Sequence, residues 1–186
     1  MEQAYSIYAG RYAERATLDS KPLAEPLSAE AIELGTVYRS AAVIDPRGQK
    51  VPASGECEVV DPREPLRDVG SRAPHVEVTQ SGRPRSVHDL FEADFVLLAG
   101  AQGGAWRDAA KSVAARDSLP LRPYTVGPEA DAVDAASIFA GAYGIESTGA
   151  VIVRPDGVVA WRAPVDAVDR EDSVAEAMTA LLQRSS

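Results

Sequence analysis

The sequence predicts an α/β fold with a mixed central sheet and helices on both faces, an expectation carried by three observations. Phe95-Val96-Leu97-Leu98 is a short unbroken apolar run, as expected of a strand covered on both faces. Trp106, Ala109, Ala110, Val113 and Ala114 follow it at helical spacing. Val151-Ile152-Val153 and Val158-Val159-Ala160-Trp161 then flank Arg154-Pro155-Asp156-Gly157, and an Asp-Gly pair between apolar runs is a strong hairpin signal. From Asp94 to Arg162 the order is strand, helix, strand, helix, hairpin, and one more helix follows. That order is the thioredoxin topology.

The chain divides into three zones: a helical arm over 1–35, a strand and Pro-rich extended connector over 36–74, and the thioredoxin-like domain over 75–186. In the arm, Tyr5, Tyr8 and Tyr12 fall at i, i+3 and i+7 and make one aromatic stripe. Pro22 and Pro26 mark a turn, after which Ser28 caps a second short helix that Gly35 stops. Thr36 to Ile44 alternates as a strand does. Pro46, Pro52, Pro62, Pro65 and Pro74 then forbid continuous helix and remove ladder donors, which predicts a meandering surface arm.

Within the domain, Val76-Glu77-Val78 and Ser86 to Leu90 are read as the strands of a leading hairpin around Ser81-Gly82-Arg83-Pro84. Leu121 to Val126 supplies the strand after the first helix, joined to Phe95–Leu98 by a parallel crossover. Asp134 caps the next helix, with Ile138, Phe139, Ala142 and Tyr143 on one face and Gly144 at its end. The final helix starts among Asp169, Glu171 and Asp172, where carboxylates suit the positive helix end. It buries Val174, Met178, Leu181 and Leu182 and finishes at Arg184.

Composition excludes several classes of function. A chain of 186 residues buries roughly 70% of its unfolded surface, enough for a core without staples. The net charge of −9 is the wrong sign for a nucleic-acid footprint, which needs clustered Lys and Arg. No apolar run approaches membrane-spanning length, and the opening Met1-Glu2-Gln3-Ala4-Tyr5-Ser6 has neither a basic nor an apolar leader region, so a cytoplasmic protein is expected. The single cysteine, Cys57, lies between Glu56 and Glu58, whose charges disfavour a thiolate. One thiol cannot carry out two-cysteine exchange, and with two scattered histidines it makes no metal cluster.

The residues also resemble a family. Glu33-Leu34-Gly35 with Tyr38-Arg39-Ser40, Gly70-Ser71-Arg72-Ala73-Pro74-His75, Asp89-Leu90-Phe91, Phe95 to Gly100, Ala105-Trp106, Tyr124 with Val126-Gly127-Pro128, and Val153-Arg154-Pro155-Asp156-Gly157 through Ala160-Trp161-Arg162 form an ordered series. The series is similar to the C-terminal portion of flavin-dependent aromatic-ring hydroxylases, the phenol and chlorophenol monooxygenases and the aromatic polyketide hydroxylases. The resemblance implies a thioredoxin-like domain that packs on a flavoprotein body and helps subunits associate, without itself holding the flavin. No G-x-G-x-x-G is present, so no residue is assigned to FAD or NAD(P)H, and no cofactor is expected.

The loop Gly100-Ala101-Gln102-Gly103-Gly104 stands where a thioredoxin keeps its redox pair. Its glycines suit a tight strand-to-helix turn, and the same position makes Gly100, Gln102, Gly103, Gly104 and Trp106 the candidate ligand surface. No catalytic or metal residue is assigned. His75 and His88 are read as structural, His75 through a backbone hydrogen bond that anchors the connector, and both tryptophans as core. Tyr5, Tyr8 and Tyr12 are the candidate interface, because tyrosine buries area while its hydroxyl stays satisfied. Two functions follow from these assignments. One is a redox-inactive, non-catalytic module acting in homodimerisation or in docking on a partner flavoprotein monooxygenase. The other is an auxiliary component of an aromatic-compound or polyketide monooxygenase, holding an aromatic small molecule near Gly100 to Trp106.

Overall fold

A computed structural model describes residues 34–40, 42–44, 58–59 and 69–182. The tyrosine stripe of the arm, Cys57, most of the Pro-rich connector and Arg184 lie outside the described residues. Nine strands are described. β1 (Thr36–Val37) and β2 (Glu58–Val59) pair antiparallel as a separate ribbon. The other seven are β3 (Glu77–Gln80), β4 (Arg83–Ser86), β5 (Phe95–Ala99), β6 (Leu121–Gly127), β7 (Ala132–Val133), β8 (Ala150–Val153) and β9 (Val159–Ala163). They form one mixed sheet in the order β4-β3-β7-β6-β5-β8-β9.

The thioredoxin-like unit is the β6-β5-β8-β9 part of that sheet. β5 runs parallel to β6 in the register Leu97↔Pro123 and antiparallel to β8 in the register Leu97↔Ile152. Alternation along β5 sends Leu97 and Ala99 to one face and Val96 and Leu98 to the other, and all four are fully buried. Two helices cover the first face: α1 (Gly104–Asp117), through Trp106, Ala110 and Val113, and α3 (Arg170–Leu181), through Val174, Ala177, Met178 and Leu181. The short α2 (Phe139–Ala142) covers the second, where Phe139 and Tyr143 pack with Val76, Val78, Val87 and Leu90. Helices on both faces of a mixed sheet are therefore what the apolar pattern builds.

Both sheet edges are closed to further pairing. β4 carries Pro84 between Arg83 and Arg85, and proline removes a ladder donor while charge repels a second strand. The outer edge of β9 is occupied by the connector: Gly70 N–H donates to Val159 O at 2.7 Å, Val159 N–H to Ser71 O at 3.0 Å, and Ile44 N–H to Ala160 O at 2.8 Å.

Three elements differ from the sequence expectation. The strand expected over Thr36 to Ile44 stops at Val37, because Ser40 builds a turn: its carbonyl accepts from Val43 N–H and its hydroxyl from Ala42 N–H. The leading hairpin turns on Ser81-Gly82 alone, both at positive φ (51° and 75°), so Arg83–Ser86 is its second strand. Pro84 is tolerated there because the strand is an edge. Val87–Leu90 is then a 3-10 turn, closed by a reciprocal cap in which the Ser86 hydroxyl accepts from His88 N–H and the Asp89 carboxylate from Ser86 N–H. Finally, α2 is a single turn. Ile138 sits outside it and is half exposed, although Asp134 still accepts from Phe139 N–H at 2.8 Å.

Candidate functional site

The loop after β5 is stitched to the segment before β8. Gly100 N–H donates to Gly149 O at 2.9 Å and Gln102 N–H to Ser147 O at 2.8 Å, while Gly103 N–H turns back to Gly100 O at 2.8 Å. These three donors point into the protein, so they are not presented to an anion. The glycines answer to close approach: a Cβ on Gly100 would lie 2.4 Å from Ser147 O, and one on Gly103 2.8 Å from Ala99 Cβ. Gly104, the first residue of α1, has nothing within 4 Å of that position. Gln102 stays exposed, its Oε1 3.3 Å from the Ser147 hydroxyl.

Trp106, in the first turn of α1, belongs to the buried face of the helix. Its side chain is 0% exposed and meets Trp161 edge to face, with ring centroids 5.5 Å apart and planes at 69°. A groove of about 320 Å³ lies between α3 and the chain leaving β9, and both tryptophans are among the residues around it. Ile44, Ala163, Ala177 and Ala180 line its apolar part, and Arg162, Asp166, Ser173 and Glu176 its polar part. Asp166 pairs with Arg170, whose guanidinium holds that carboxyl below the ordinary carboxylate range. Trp106 Nε1–H is buried and has no acceptor among the described residues. The structure thus separates residues that the sequence reading grouped: Gly100, Gln102, Gly103 and Gly104 form the turn, whereas Trp106 belongs to the groove. Periodicity marked each tryptophan as a core position. It carries no signal that two positions 55 residues apart share one wall.

The histidines are placed beside the connector. His88 Nε2 lies 2.8 Å from Ala73 O, and His75 Nδ1 lies 2.9 Å from the Ser86 hydroxyl. The backbone bond expected of His75 is therefore made by His88. Burial lowers the His88 pKa below its ordinary value, and the charge of Arg72 and the neighbouring His75 act in the same direction. Tyr143, which donates to Pro74 O at 2.9 Å, is raised by burial and stays neutral. Among the described residues no group of three or more His, Cys, Asp or Glu is placed to hold a metal ion. Nor, among them, is any helix long and apolar enough to cross a membrane.

Residues 67–185 match the family model described as aromatic-ring hydroxylase, C-terminal. The chain belongs to that family. Relatives of this C-terminal type include 4-methyl-5-nitrocatechol 5-monooxygenase from Burkholderia sp, 39% identical over 99% of this chain and 33% of the relative. Aklavinone 12-hydroxylase from Streptomyces purpurascens is 37% identical over 98% of this chain and 32% of the relative. The chain thus spans about a third of the length of the curated relatives it matches. Among solved structures, aklavinone-11 hydroxylase in ternary complex with FAD and aklavinone superposes with a TM-score of 0.76 at 34% identity, over 93% of this chain and 31% of that one. The aromatic-ring hydroxylase C-terminal domain therefore has the mixed, thioredoxin-like sheet described above.

Proposed function

We propose that this chain is a non-catalytic, redox-inactive assembly module that docks on a flavoprotein monooxygenase or pairs two copies of itself. The observation that carries the reading is the fit of the whole chain onto one third of its hydroxylase relatives, combined with the state of the loop after β5. Where a thioredoxin presents its thiols, this loop has two glycines required by close packing, Gly100 and Gly103, and the N–H donors of Gly100, Gln102 and Gly103 turned inward. The two imidazoles hold the connector to the 3-10 turn, not a reacting group. A cytoplasmic site of action goes with such a partner.

The test is a native mass measurement of the purified chain over a range of concentrations, recorded with its visible spectrum, alone and with a flavin-containing hydroxylase. A colourless dimer, or a colourless chain that co-migrates with the flavoprotein, is expected. A chain that stays monomeric and partnerless, keeps a yellow flavin, or consumes NAD(P)H when given an aromatic compound would overturn the proposal.

A further inference from the structure

We propose that His75 and His88 form a two-imidazole site for a divalent transition-metal ion of the zinc and copper type, a site independent of the docking role. They are the only histidines in the chain, and although apart in sequence they meet in space, with ring centroids 5.9 Å apart and planes at 79°. Two imidazoles that share one ion at about 2.0–2.1 Å per bond have ring centres roughly 5–6 Å apart. The spacing suits one ion.

Each ring has one nitrogen anchored and one left for a ligand. The Ala73 carbonyl can only accept, so His88 Nε2 carries the hydrogen in that 2.8 Å bond and His88 Nδ1 keeps a lone pair. Ser86 Oγ accepts from His88 N–H and has a second lone pair for His75 Nδ1–H at 2.9 Å, a tautomer that leaves His75 Nε2 as the ligand atom. Donation of the far N–H to a backbone carbonyl, as His88 makes, is the usual support of a metal-bound imidazole. Phe91 packs on the His88 ring at 5.3 Å between centroids and steadies it further. His75 is exposed and gives an ion entry from solvent. Burial holds His88 below its ordinary pKa, so its ring is neutral and able to bind at pH 7. The neighbouring Arg72 opposes a cation, but its side chain is exposed and water weakens the repulsion. An imidazole pair favours zinc or copper over magnesium or calcium, which take oxygen ligands, and water fills the remaining positions.

The test titrates the full-length chain with Zn2+ at neutral pH and follows the ring C–H signals of the two histidines by NMR, with Mg2+ as the control. His75→Ala assigns the signals. Both rings are expected to respond along one saturation curve with Zn2+ and neither with Mg2+. His75→Ala, which removes an exposed side chain, should bind at least tenfold more weakly with its backbone amide spectrum retained, and Cys57→Ser should bind as the unsubstituted chain does. Rings that do not respond, rings that saturate at different Zn2+ concentrations, unweakened binding in His75→Ala, or binding lost in Cys57→Ser would each overturn the proposal.

Discussion

A single methyl group distinguishes a tight turn from a ligand cradle in the loop after β5. At Gly100 the added Cβ would meet the Ser147 carbonyl at 2.4 Å, and that oxygen already accepts from Gln102 N–H, so neither partner can yield. Gly100→Ala is expected to cost on the order of 1–3 kcal/mol, as overpacking against backbone does. Gly104 opens α1 with free space around it and no positive φ. Gly104→Ala removes unfolded-state entropy without a clash and is expected to stabilise by roughly 0.5–1 kcal/mol. Urea midpoints of the two variants decide the matter, and an unperturbed Gly100→Ala would show that the glycine is there for something other than packing.

Among the elements, the 3-10 turn Val87–Leu90 is the latch that holds the connector to the sheet. Its His88 donates to Ala73 O and stacks near Phe91 and His75, while Asp89 and Ser86 close the cap. The folded protein holds His88 below its ordinary pKa of 6.5, so the unfolded chain binds more protons as the solution is acidified. The stabilisation is present above that value and is lost as pH falls through it. His88→Gln keeps a donor for the Ala73 carbonyl without titrating, and should flatten the fall in melting temperature between about pH 7 and 5. An equally steep fall in the variant would assign the acid sensitivity elsewhere. This turn was also the least legible stretch of the sequence. Ser86 to Leu90 alternates well enough to pass for a strand, and only the reciprocal bonds of Ser86 and Asp89 show that a cap had taken over. By contrast β5, β8 and β9 were readable, because β5 and β8 are short unbroken apolar runs, as doubly covered strands are, and Asp156-Gly157 fixes the turn between β8 and β9. The loop glycines were visible for the same reason. The groove was not, since it arises where α3 lies against the exit of β9, a contact that local spacing does not encode.

For the molecule as a whole, the sheet divides the interior into two cores, and β5 belongs to both. Leu97 faces the side that holds both tryptophans, and Leu98 faces the side that holds Phe139 and Tyr143. Adjacent residues in one strand are thus the shortest covalent link between the two halves. If the halves fold as one unit, a cavity on either side lowers the stability of both, because β5 cannot leave one core and remain in the other. Leu97→Ala and Leu98→Ala are each expected to cost about 2–5 kcal/mol, the range for truncating a buried leucine. The informative variant is Leu98→Ala, whose cavity opens on the side without tryptophan. Its unfolding midpoint followed by tryptophan fluorescence should fall together with the midpoint followed by far-ultraviolet circular dichroism. A fluorescence midpoint that stays where the unsubstituted protein has it, while the dichroism midpoint drops, would mean that the tryptophan core stands without its neighbour and that the groove sits on an independently folding half.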